Sequence, residues 1–169
     1  ESIVAEHDVT LVVTNNAHSF NTANKYLRYL CDWNREGVLI IPNDTSKGMH
    51  LYSFFTQSVI LPPSWGEAVG VEKIYQVGAL GREYSGREAD SIEQLVKAVV
   101  KDLADMGYGT ASIGYITDSK SVGILNAIKA EMPKAKFGDE SHVILEMQRL
   151  RSPAEVDLIR ASVQLQEIG

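Results

Sequence analysis

Few residues in this chain of 169 carry types and spacings that could do chemistry. Gly107-Tyr108-Gly109-Thr110-Ala111-Ser112 opens like a dinucleotide fingerprint, whose glycines let a backbone approach a pyrophosphate at a helix N-terminus. Ser112 stands where the third glycine belongs, and the segment precedes an expected strand instead of opening a helix, so it reads as a helix cap and turn. Gly78-Ala79-Leu80-Gly81 likewise reads as a loop. The four histidines, His7, His18, His50 and His142, have no partner at metal-ligand spacing. Asp139, Glu140 and His142 are close together, but they lead into an expected strand. Neighbouring strand side chains point to opposite faces, so three ligands would not converge, and a solvated loop is expected. Cys31 has no flanking signature of a nucleophile and reads as a small core residue on a helix. No serine occupies a nucleophile elbow.

Trp33 and Arg35, with the loop His18-Ser19-Phe20-Asn21, differ in kind. Aromatic and basic groups beside a helix end can line a pocket mouth, with the guanidinium placed for a carboxylate. The competing assignment packs Trp33 in the core and leaves Arg35 solvated in a turn.

The elements that must position these residues belong to one ordinary domain. Hydrophobic residues make up 44% and charged residues 22%, as in soluble globular proteins. The net charge of -6 lacks the basic face that phosphate backbones require, so no nucleic-acid partner is expected. No run approaches the roughly 18 apolar residues of a membrane span, and the polar stretch Glu1–Asp8 is no secretory signal. A single cysteine cannot form an internal disulfide, which fits a reducing, cytoplasmic setting. Asn43-Asp44-Thr45 matches a glycosylation acceptor and is read as a turn.

Along the chain, Val9–Thr14 reads as a strand, Asn21–Trp33 as a helix and Val38–Ile41 as a buried central strand. Leu51–Phe55 and Ile74–Val77 are further strand candidates, with a loop over Leu61–Gly70. Ser91 with Gln94 forms a capping box, with Asp90 as the competing cap, before a helix that presents Ile92, Leu95, Val96, Val99, Leu103 and Met106 and stops at Gly107. Ser112–Ile116 follows as a strand. A second helix is capped by Ser119 or Ser121, buries Leu125, Ile128 and Met132, and stops at Pro133; Val143–Leu145 is the last expected strand. This alternation predicts an α/β domain with helices on both faces of a mixed sheet.

The last stretch is a well-signalled helix start. Ser152 is an N-cap, Pro153 suits the first helical position, and Glu155 can close a capping box. Val156, Ile159 and Val163 recur at helical spacing, and Leu158, Leu165 and Ile168 widen the apolar face. That face is expected to be covered by a domain outside this sequence, leaving the helix poorly ordered or packed on a neighbouring molecule.

Leu150-Arg151-Ser152-Pro153-Ala154-Glu155-Val156-Asp157-Leu158-Ile159-Arg160-Ala161 resembles the R-x-K-S-x-x-E-I-x-x-L-R-x-A junction of the creatinase/prolidase/aminopeptidase P family, the pita-bread metallopeptidases. Asn24-Lys25-Tyr26-Leu27-Arg28-Tyr29-Leu30, followed by Gly37-Val38-Leu39-Ile40-Ile41-Pro42, is similar to the family's N-x-x-Y-L-x-G element and its next strand, although the element's glycine has no counterpart here. The resemblance spans nearly the whole chain. It implies a creatinase-type N-terminal domain over residues 1–150, with a three-layer α/β/α, ribonuclease H-like fold. Residues 151–169 would be the junction and first helix of a C-terminal catalytic domain. Family peptidases bind a pair of divalent metals (Mn, Co or Zn) through two Asp, one His and two Glu, whereas creatinase itself works without metal. Those ligands lie in the catalytic domain and none maps onto this chain, so no catalytic residue and no cofactor is expected in it.

The resemblance further implies that the domain's partners are its own catalytic domain and a second subunit of a homodimer. Trp33 and Arg35 would reach the partner subunit's substrate in trans, Arg35 at a carboxylate. Two other readings compete. One is a free-standing α/β ligand-binding or interaction module. The other is a ribonuclease H-like nuclease, which needs clustered carboxylates on neighbouring strands; Val9–Thr14 and Val38–Ile41 carry none.

Overall fold

Val9-Thr10-Leu11-Val12-Val13-Thr14 is rich in β-branched residues, and in the computed structural model it forms strand β1 with all six residues buried. The structure describes residues 7–14, 25–33, 37–53, 70–76 and 88–168. A strand buried on both faces must lie inside a sheet that is covered twice. β1 indeed sits between β2 (Gly37–Pro42) and β5 (Ser112–Thr117) in a six-stranded sheet of order β4-β3-β2-β1-β5-β6. The other strands are β3 (Met49–Ser53), β4 (Val71–Gln76) and β6 (Lys136–Asp139). β1, β2 and β3 pair antiparallel in succession, while β5 and β6 run parallel to β1 on its other side. β4 extends the far edge parallel to β3. This is the mixed sheet of an α/β domain that the alternation of elements predicts.

The period of two along β1 divides the core into two layers. Val9, Leu11 and Val13 point to one side, where they meet Val38, Ile40 and Ile113. Leu95, Val99 and Leu103 of α2 (Glu88–Asp105) and Leu125 and Ile128 of α3 (Val122–Glu131) cover that side. Val12, Leu39, Leu51 and Ile116 point to the other, under Leu27 of α1 (Lys25–Cys31) and Ile144 of α4 (Ser141–Arg149). α5 (Pro153–Ile168) follows α4.

Local signals explain most boundaries. Gly107, at φ +91°, ends α2: its N–H bonds Ala104 O at 3.0 Å, and the N–H of Tyr108 bonds Leu103 O at 2.7 Å. This is the cap and turn read from the glycines at 107 and 109. α2 begins at Glu88, however, so Asp90 and Ser91 lie in its first turn rather than at its cap. Ser121 stands at the N-cap of α3, but its hydroxyl donates to Asp118 Oδ1 at 2.7 Å instead of capping the helix.

The run Val143–Leu145 is not a strand. It lies in α4, where Ile144 is buried and Leu145 is exposed. A three-residue apolar run fits a helix or a strand equally well, and burial of one residue in three selects the helix here. The last strand is instead Lys136-Phe137-Gly138-Asp139, an edge strand whose charges and glycine hide its pattern. Expected elements at Asn21–24, 54–55, 61–69 and Val77 lie outside the described residues.

Cys31 is a core residue, 1% exposed, with its thiol donating to Leu27 O at 3.2 Å. Burial, reinforced by the Asp32 charge, pushes the thiol up to about 11, against a Trp33 backbone hydrogen bond that pulls it down. The folded pKa lies above the unfolded one, so this contribution is complete below the unfolded value of 9.0 and is lost as pH rises through about 11. Urea unfolding under reducing conditions is therefore expected to show roughly 2–3 kcal/mol of alkaline destabilisation from this group. Cys31→Ala should flatten that part of the curve.

Candidate functional site

Asp32 leaves α1 in the left-handed region at φ +57°, which an Asp tolerates better than most residues. The turn drops Trp33 back under the helix, where its N–H bonds Leu27 O at 3.3 Å. The indole is 2% exposed, packed in the layer with Leu27, Cys31, Leu39 and Ile144. Its Nε1 has no hydrogen-bond partner among the described residues. The structure thus places Trp33 in the core rather than at a surface. Arg35 lies outside the described residues.

Two polar constellations are assembled only by the fold. The first joins β3 to α2. His50 Nδ1 and the Tyr52 hydroxyl both reach Asp102 Oδ2, at 2.6 and 2.7 Å. Tyr75 stacks on Tyr52 with centroids 4.6 Å apart and meets His50 edge-on. Burial, then the hydrogen bond and charge of Asp102, hold the Tyr52 phenol far above its usual range. A carboxylate orienting an imidazole is the arrangement of a general base. Here the imidazole is 4% exposed, and its carboxylate is shared with a phenol that keeps its proton. The geometry locks β3 against α2.

The second constellation ties the residues before β1 to the β5–β6 end of the sheet. His7 Nδ1 lies 2.8 Å from Ser112 Oγ, and Nε2 lies 3.0 Å from Glu140 Oε1. The ring rests on Gly114 and Gly138, where an added Cβ would come within 2.9 and 2.7 Å of imidazole atoms. The group Asp139, Glu140 and His142 is therefore split. Asp139 accepts the Ser141 N–H at 2.8 Å, which holds its carboxyl below the usual range, and His142 is exposed. Glu140 is buried, not solvated as expected. Its partner His7 is 133 positions away, beyond any spacing rule. Among the described residues no group of three or more His, Cys, Asp or Glu could hold a metal ion. A mostly apolar groove between α2 and α3 is lined by Val100, Ala104, Met132 and Pro133, together with Gly109, Glu131 and Lys134.

The strongest candidate is a surface. The reciprocal bonds of the predicted capping box form at the start of α5: Ser152 N–H donates to Glu155 Oε2 at 2.8 Å, and Glu155 N–H to Ser152 Oγ at 3.2 Å. These bonds hold the Glu155 carboxyl below its usual range. The helix then exposes Leu158 (69%), Ile159, Val163 and Leu165 (73%), with Leu150 exposed just before it. Clustered exposed apolar groups mark an interaction surface far more often than solvent contact. No helix among the described residues is long and apolar enough to cross a membrane.

No family model matches this chain, and no curated protein is similar to it. Among solved structures it is similar in fold to an X-Pro aminopeptidase from Thermotoga maritima MSB8, with a TM-score of 0.60 at 11% identity. The likeness covers 95% of this chain and 38% of that one, so the chain spans little more than a third of its neighbour's length.

Proposed function

We propose that this chain is the non-catalytic N-terminal α/β domain of a creatinase- or Xaa-Pro peptidase-like hydrolase. It frames the active-site entrance and the dimer contact of the full-length enzyme. Residues 1–150 form the domain, and 151–169 form the junction and the first helix of a catalytic domain. The observation that carries this reading is the apolar stripe of α5, exposed after a fully formed capping box. The fold likeness to part of an X-Pro aminopeptidase and the resemblance of Leu150–Ala161 to the family junction support it. The described residues fit no metal pair. A divalent pair, where the full-length enzyme uses one, is held by two Asp, one His and two Glu of the catalytic domain. The enzyme is a cytoplasmic homodimer in this reading, with Arg35 offered to the partner subunit's substrate.

The reading frame beyond Gly169 tests the proposal directly. Two Asp, one His and two Glu are expected downstream, and a stop codon immediately after Gly169 would leave a free-standing module instead. Leu158→Glu combined with Leu165→Glu gives the physical counterpart. These exposed positions are expected to change the stability of the 169-residue chain by no more than about 0.5 kcal/mol. In the longer protein the same pair should cost roughly 2 kcal/mol per leucine, as buried side chains do. Equal effects in both would sink the docking role.

A further inference from the structure

Two oxygens at the buried end of the β1–β5–β6 ladder have no hydrogen-bond partner among the described residues: Thr10 Oγ1 and Glu140 Oε2. Thr10 is 1% exposed and Glu140 5%. Both border the same glycine. A Cβ built on Gly114 would stand 3.2 Å from Thr10 Oγ1 and 3.1 Å from Glu140 Cδ. Thr10 Oγ1 and the Glu140 carboxyl carbon are therefore no more than about 6 Å apart. The absent side chain at 114 keeps the floor between them low. Glu140 also occupies the N-cap position of α4, yet its carboxylate makes no bond to that helix. It is turned inward, with Oε1 on His7 and Oε2 without a partner among the described residues. Leaving a buried carboxylate oxygen and a buried hydroxyl both unmet costs more than immobilising a water.

We propose that Glu140 Oε2 and Thr10 Oγ1 bind a single internal water. It donates to the carboxylate and exchanges its second hydrogen bond with the threonine hydroxyl. With the His7–Glu140 contact, this water ties the residues before β1 to the head of α4. A monovalent cation could sit between the same two oxygens, but His7 already supplies a donor to this carboxylate, so a neutral ligand suffices.

Thr10→Val separates the cases by sign, because it keeps the shape and removes only the hydroxyl. If the water is bound, the melting temperature falls by about 2–4 °C, as a loss near 1 kcal/mol gives in a domain of this size. If the hydroxyl is an orphan, the methyl group is better tolerated, and an unchanged or raised melting temperature overturns the proposal. In the unaltered chain, a long-lived water giving a nuclear Overhauser effect to the Gly114 amide is expected, and it should vanish in Thr10→Val. Its absence from the unaltered chain would also overturn the assignment. Melting in sodium, potassium, ammonium and choline chloride at equal ionic strength should be the same. A rise specific to one cation and abolished by Glu140→Gln would replace the water by that cation.

Discussion

Gly37→Ala is expected to destabilise this domain by about 3 kcal/mol, the upper end of the cost of overpacking. Gly37 opens β2, which lies between β1 and β3 and pairs with both. A Cβ there would stand 2.4 Å from the carbonyl oxygen of Tyr52, closer than any real Cβ contact. The obstacle is backbone, so no rotamer change relieves it. Tyr52 is itself held in register opposite Val38, and its hydroxyl is anchored on Asp102. Gly37 O also accepts the Thr14 hydroxyl at 3.2 Å, so β2 cannot retreat without losing a buried bond to β1. In urea the unfolding midpoint should fall with the slope unchanged, because the surface exposed on unfolding is the same. A midpoint equal to that of the unaltered protein would show that the start of β2 yields, and would refute the prediction.

Asp102→Ala should cost about 3 kcal/mol, through the donors it strands rather than the contact it removes. His50 and Tyr52 are both almost wholly buried, and both depend on the same carboxylate oxygen. Asp102→Asn retains an acceptor without the charge and should cost roughly half as much. Two measurements isolate the network. In a double-mutant cycle with Tyr52→Phe, the combined change should be smaller than the sum of the singles, because Tyr52→Phe removes one of the stranded donors beforehand. Spectroscopic titration should show the Tyr52 phenol ionising at lower pH in Asp102→Ala, since the hydrogen bond and charge of Asp102 add to burial in raising it. The sign follows for stability: a phenol with a raised folded pKa stabilises below the ordinary tyrosine range, and that stability is lost as pH climbs above it. Additive singles and an unmoved phenol would mean that the three groups only happen to be adjacent.

These effects are structural. Each buried polar network joins distant segments: β3 to α2 in one case, the start of β1 to the head of α4 in the other. Among the described residues, the exposed apolar side chains cluster on α5, the element that the junction resemblance singles out.

Local patterns in the sequence determined most of the elements and several of their ends. The β-branched run of β1, the 3.6-residue periodicity of α2 with its stop at Gly107, and the Ser152–Glu155 capping box each act within a few residues, so their physics is written in the chain at that point. The thiol of Cys31 was legible for the same reason, since its helix had only one face to bury. Only the tertiary structure decided the rest. Val143–Leu145 became helix and the polar Lys136–Asp139 became strand, because the choice depended on which neighbours each found. Trp33, suited by type to a pocket mouth, went into the core because Asp32 turned it there. His7 and Glu140, and His50 with Tyr52 and Asp102, met because sheet order brought them together over separations of 50 to 133 positions. Side-chain chemistry is carried by the sequence; convergence of side chains is a property of the sheet and the helices packed on it.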